Sequence, residues 1–142
     1  YRNQLDKYVL FCKRILYKER YHHDPLLHWE LLTFLMHINH ALYYLTEYLE
    51  KNKSQEKTFL ALLDNLSDYY DLYYNAFYKK DVKYITEINE KRHDLQFGKL
   101  ITLLEQESKD TVIISYLREV FRLIQIGTSP IVALLIEHFY KD

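Results

Sequence analysis

His37 and His40 stand three residues apart on one face of a helix-forming stretch, with Glu30 two turns before the first and Glu47 two turns after the second. Imidazole and carboxylate are the side chains that hold divalent cations, and in helical bundles the facing helices complete the shell. Further along, Glu87, Glu90 and Asp94 form a second carboxylate stripe. One reading of these residues assigns Glu30, His37, His40, Glu90 and Asp94 to a divalent-metal site in a helical-bundle enzyme or carrier. The bland reading of the same stripes is a solvated helix face. His22, His23 and His28 surround a turn, where a solvent-facing position accounts for them. The chain contains no HExxH, no CxxC, no glycine-rich phosphate loop and no G-x-S-x-G, so no catalytic residue is assigned.

Tyrosine is the unusual component, with 15 copies in 142 residues. Tyr69, Tyr70, Tyr73, Tyr74 and Tyr78 ring one helical stretch, and Tyr43, Tyr44 and Tyr48 ring the end of another. An apolar ring with a polar tip suits either the rim of a core or a surface that holds a partner. The first five are therefore the candidates for an interaction surface. Stacking of nucleobases on them would need a basic groove. Lys51 with Lys53 and Lys79 with Lys80 are the only paired cations near them, and 19 basic residues balance 20 acidic ones. No nucleic-acid partner is expected.

These side chains must be positioned by helices. Two glycines and two prolines are too few for the turns of a sheet protein of this length. Leu5, Tyr8, Val9, Cys12, Ile15 and Leu16 recur at three and four and predict a helix from Leu5 to about Arg20. A second helix starts near Pro25 and reads to about Leu49, since proline is tolerated in a first turn. A third runs from about Gln55 to Tyr78 on the stripe Phe59, Leu63, Leu66, Tyr70, Tyr73, Phe77. A fourth carries Val82, Ile85, Ile88, Leu95 and Leu104, with a kink or break near Gly98. The last repeats Ile113, Leu117, Val120, Ile124, Gly127, Ile131, Leu134 and His138 without losing phase. Gly127-Thr128-Ser129-Pro130 is accordingly expected to kink one helix rather than to separate two. The fold class is all-α, an antiparallel bundle of about five long helices in a single domain over residues 1–142.

Cys12, the only cysteine, is expected as a small buried hydrophobe in a reducing compartment. No run of about 20 apolar residues predicts a membrane span, and Tyr1 to Asp6 lack the features of a secretory signal. A cytoplasmic location follows as the expectation.

The segments Leu123 to Pro130 and Leu35 to Leu42, each deep in a long helix, resemble the signature helix of the PhoU family of phosphate-uptake regulators. Ala76-Phe77 through Asp81, followed by Ile88, Glu90, Asp94 and Leu95, is similar to that family's repeat junction and second helix. The resemblance implies tandem three-helix repeats, a complete one over about 55–140 and a first one over about 1–50 that lacks its first helix. Family members bind metal clusters through a glutamate and an aspartate of the signature. The matching positions here are Met36 and His40 in one segment and Ile124 and Thr128 in the other. Methionine, isoleucine and threonine do not replace charged oxygen ligands. The resemblance thus implies a non-enzymatic regulatory or adaptor protein without a cofactor, acting on a protein partner such as a membrane transporter or sensor, with self-association left open. A metal-binding bundle and a helical interaction protein of unrelated ancestry are the alternatives.

Overall fold

The computed structural model describes residues 2–18, 24–52, 57–105 and 111–139. Among them there is no strand. The elements are α1 (Arg2–Lys18), α2 (Pro25–Asn52), α3 (Lys57–Lys79), α4 (Lys83–Arg92), a π-helical segment (His93–Lys99), α5 (Leu100–Glu105), α6 (Thr111–Ile126) and α7 (Thr128–Phe139). Because α4 passes through the π segment into α5, and only Gly127 separates α6 from α7, the architecture is an all-α bundle of five long helices, as the periodicity predicts.

Local chemistry sets the ends. Asp24 takes a left-handed φ of 61°, which a short polar side chain tolerates, and its carbonyl accepts the His28 amide at 3.2 Å to open α2 behind Pro25. Lys80, with φ of 51°, closes α3 in the left-handed conformation usual just past a helix end. Asp81 then accepts the Lys83 amide at 3.0 Å through Oδ1, satisfying a first-turn donor of α4.

The apolar side of α6 is the centre of the molecule. Ile113, Ile114, Leu117, Val120, Phe121 and Ile124 are wholly buried against Ile38 and Leu45 of α2, Tyr69 of α3, Ile88 of α4 and Leu100 of α5. Each such side chain contributes about 1.5–3 kcal/mol by leaving water. The stretch Thr111–Glu137 is long and apolar enough by composition to cross a bilayer, and half of its most apolar window is buried inside the bundle.

Two irregularities interrupt the regular helices. One turn before the π segment the buried Tyr69 hydroxyl donates to the Ile88 carbonyl of α4 at 3.0 Å. At the α6–α7 junction the Gly127 amide still donates to the Leu123 carbonyl at 2.9 Å, and the Thr128 hydroxyl donates to the Gln125 carbonyl at 2.6 Å. Pro130 removes the amide that the Ile126 carbonyl would otherwise accept. Gly127 is thus a one-residue interruption between α6 and α7.

The face that α1 presents differs from the expected stripe. Val9 and Lys13 are buried against α2, whereas Tyr8 and Cys12 are exposed. Lys13 is accommodated because its stem packs while its ammonium donates to Thr33 Oγ1 at 2.7 Å and sits 4.9 Å from the Trp29 ring centre. This rotates α1 about its axis and corrects the expectation of a buried Cys12.

Candidate functional site

The residues assigned to one metal site fall in separate places. His37 and His40 line a groove of about 310 Å³ between α2 and α6, together with Ala41, Tyr44, Tyr116, Glu119 and Leu123. His40 Nε2 is hydrogen-bonded to Asp6 Oδ1 at 2.7 Å, which ties α1 to α2. The Glu119 carboxylate is held in a bidentate contact by Arg122, at 3.1 Å to both Nε and Nη2, and this holds the guanidinium above its ordinary pKa.

Glu90 and Asp94 line a different groove, of about 470 Å³, beside the π segment, with Asn65, Lys91, His93, Leu95 and Lys99. Glu30 is exposed on α2 and lines neither groove. The five residues of the metal reading are therefore not brought together. Among the described residues no group of three or more His, Cys, Asp or Glu is arranged to hold a metal ion. His93 is the residue that sequence reasoning missed. It follows Glu90 at the Glu-x-x-His spacing used by di-iron bundles, and that spacing was the signal available. Glu19 and His22 repeat it in the sequence, and both lie outside the described residues, as does His23. His28 is half-buried, its ring hydrogen-bonded to the Asp24 carbonyl at 3.0 Å.

The tyrosine ring of α3 divides into two sets. Tyr69 is fully buried, with its ring edge-on to Phe121 at 5.3 Å, and burial pushes its hydroxyl pKa up to about 12. Tyr73 is also buried, its pKa raised further by the same cause, and its hydroxyl has no hydrogen-bond partner among the described residues. A Cβ placed on Gly127 would meet that hydroxyl at 3.3 Å. Tyr69 and Tyr73 therefore cannot touch a partner, which corrects their assignment to an interaction surface. Helical spacing turns both of them inward. Tyr70 is half-buried and its pKa is raised, chiefly by burial.

Tyr74 and Tyr78 turn outward. They are 52% and 64% exposed, and their rings lie against one another with centres 4.4 Å apart. Tyr78 also meets Phe77 edge-on at 5.0 Å. Just beyond, the Tyr84 ring lies beneath the ammonium groups of Lys79 and Lys83, at 5.3 and 5.0 Å, with Val82 exposed alongside in the chain. These side chains form an exposed aromatic surface with cations at its edge.

Comparison with known protein families, with curated proteins and with solved structures returns no match.

Proposed function

We propose that the protein is a non-enzymatic regulatory or adaptor module that works by docking to a partner protein. The observation that carries this reading is the exposed, mutually stacked Tyr74–Tyr78 pair on α3. Aromatic side chains with few rotatable bonds lose little entropy on binding and dominate interface energetics. The arrangement of α3, α4–α5 and α6–α7 around one core is compatible with the three-helix unit of the PhoU-like reading, and phosphate-uptake regulation is the role that this resemblance would bring.

The signature positions support a version without metal clusters. Ile124 is fully buried in the apolar core, and the Thr128 hydroxyl is engaged with the Gln125 carbonyl. Neither offers a charged oxygen.

The test combines native purification with one double variant. A stoichiometric protein partner is expected to co-purify with the unaltered chain and to be lost with Tyr74→Ser/Tyr78→Ser, whose fold should be unchanged by circular dichroism. Stoichiometric iron or zinc that disappears in His37→Ala and His40→Ala would replace this reading with the metal-binding one.

A further inference from the structure

Two exposed helix faces carry opposite charge on the same spacing. On α1, Lys7, Leu10, Arg14 and Tyr17 follow one another at three, four and three residues, and all are exposed, Tyr17 at 83%. Helix α1 covers α2 through Val9 and Lys13 and leaves this row outside. On α3, Asp64, Ser67, Asp71 and Tyr74 follow at the same three, four and three, again exposed, with Tyr78 one turn further on. At about 100° per residue each row forms one face of its helix.

The charge of each face survives its surroundings. Within residues 3–18 the only carboxylate is Asp6, which is held by His40. Lys7, Arg14 and Lys18 are exposed and make no ion pair among the described residues. On α2, Glu47 is paired with Lys51, Glu50 lies beyond the start of α1, and the exposed Glu30 adds one negative charge against these three cations. Between Phe59 and Tyr78 the only charged residues are Asp64, Asp68 and Asp71, all exposed and likewise unpaired among the described residues. Beside α3, Glu87, Glu90 and Asp94 offset Lys91, Arg92 and Lys99. On α6, Arg122 is taken by Glu119, so Arg118 adds one positive charge against three negative ones.

Asp6 meets His40 and Lys13 meets Thr33, so α1 and α2 are antiparallel. Tyr48 meets Tyr116 and Phe34 lies against Gly127, so α2 and α6–α7 are antiparallel. Tyr69 meets Phe121 and Tyr73 lies against Gly127, so α3 runs with α6–α7. Helices α1 and α3 therefore point the same way. The first packs on α2 and the second on α4, α6 and α7, so α2 and α6–α7 stand between them and the two rows look out on opposite sides.

We propose that α1 of one copy docks along α3 of a second copy, so that the chain assembles head to tail. This rests on the docking role given to α3 above and names the partner. Two α1 rows repel one another, as do two α3 rows, which disfavours a two-fold pairing of either with itself. With Lys7 opposite Asp64, the shared spacing sets Leu10 on Ser67, Arg14 on Asp71 and Tyr17 on Tyr74. Copies related by translation meet this register, because the two helices are parallel within each copy. Every copy added leaves one α1 and one α3 open, so growth does not close on itself. A contact of one helix face on another is at the small end of protein interfaces, which makes assembly weak and concentration-dependent.

Sedimentation velocity of the full chain from about 5 to about 500 μM at low salt should show species larger than a dimer that grow with concentration. Salt at about 0.5 M should return them to monomer. Lys7→Glu/Arg14→Glu and Asp64→Lys/Asp71→Lys should each weaken assembly on the order of 10-fold or more. Mixing these two variants, or combining all four changes in one chain, should restore it, since every cationic row then faces an acidic one. The milder Asp64→Asn/Asp71→Asn should weaken assembly in the same direction. A chain monomeric over the whole range, assembly indifferent to salt and to the single-face variants, or reversals that mixing does not restore would overturn the proposal. If the chain stays monomeric while Tyr74→Ser/Tyr78→Ser still removes a different co-purifying protein, self-assembly is overturned and the docking role of α3 is kept.

Discussion

Replacing Gly127 by alanine sets two effects against each other at the α6–α7 junction. Alanine is favoured over glycine within a helix by about 1 kcal/mol, because glycine loses more backbone freedom on folding. Against this, the new Cβ would lie 3.0 Å from the Leu123 carbonyl oxygen and 3.3 Å from both the Phe34 Cβ and the Tyr73 hydroxyl. Two of these three neighbours are main-chain or Cβ atoms that cannot swing away. Overpacking of this kind costs about 1–3 kcal/mol, so Gly127→Ala should be destabilising by a net of up to about 2 kcal/mol. For a chain of this length that is a fall in Tm of up to roughly 8 °C. Thermal melts followed by circular dichroism measure it, and Tyr73→Phe supplies the control. Removing a buried hydroxyl without a partner is expected to be neutral or stabilising by up to about 1 kcal/mol. It also removes one of the three close neighbours, so Gly127→Ala should cost about 0.5 kcal/mol less in that background. A Tm that rises in Gly127→Ala, or an equal cost in both backgrounds, would refute the steric account.

Two further outcomes follow from Tyr69. Tyr69→Phe should lose about 1–2 kcal/mol in urea unfolding, because the Ile88 carbonyl loses a buried donor, and a change below about 0.3 kcal/mol would show that water replaces it. Stability should also fall above pH 10. A tyrosine whose folded pKa is raised to about 12 keeps its proton when the unfolded chain has lost it, so this contribution is complete below pH 10 and disappears as pH rises toward 12. The slope is about 1.4 kcal/mol per pH unit for each such residue, and urea midpoints at pH 8 and pH 11 that coincide would contradict it. Tyr69→Phe should make that slope shallower.

Helix number, the start at Pro25, the irregularity near Gly98 and the continuity across Gly127 were all legible, because each rests on period or on backbone chemistry that acts locally. The orientation of α1 was not. Its apolar stripe is wide, and a hydrogen bond from Lys13 to a threonine 20 residues away decides which flank is covered. The tyrosines of α3 were legible as a ring but not as an inner and an outer set. Their types are identical, and only the position of α6 separates Tyr69 from Tyr74. The metal reading grouped residues by helix face. Whether two faces meet depends on packing, which here sends His37 and His40 to one groove and Glu90 and Asp94 to another.

The π segment between Ile88 and Leu100 has a consequence for change in chain length. An α-helix turns about 100° per residue, so adding or deleting one residue would ordinarily swing everything beyond it out of the core. Residues His93–Lys99 are wound more loosely, with Leu95 and Leu100 both buried on the inner side. Such a turn holds in effect one residue more than an α-helical path between the same contacts. Loss of one residue there tightens the turn to ordinary α-helix while Ile88 before it and Leu100 after it keep their partners, which makes this a stretch of the bundle where a one-residue deletion leaves the fold intact.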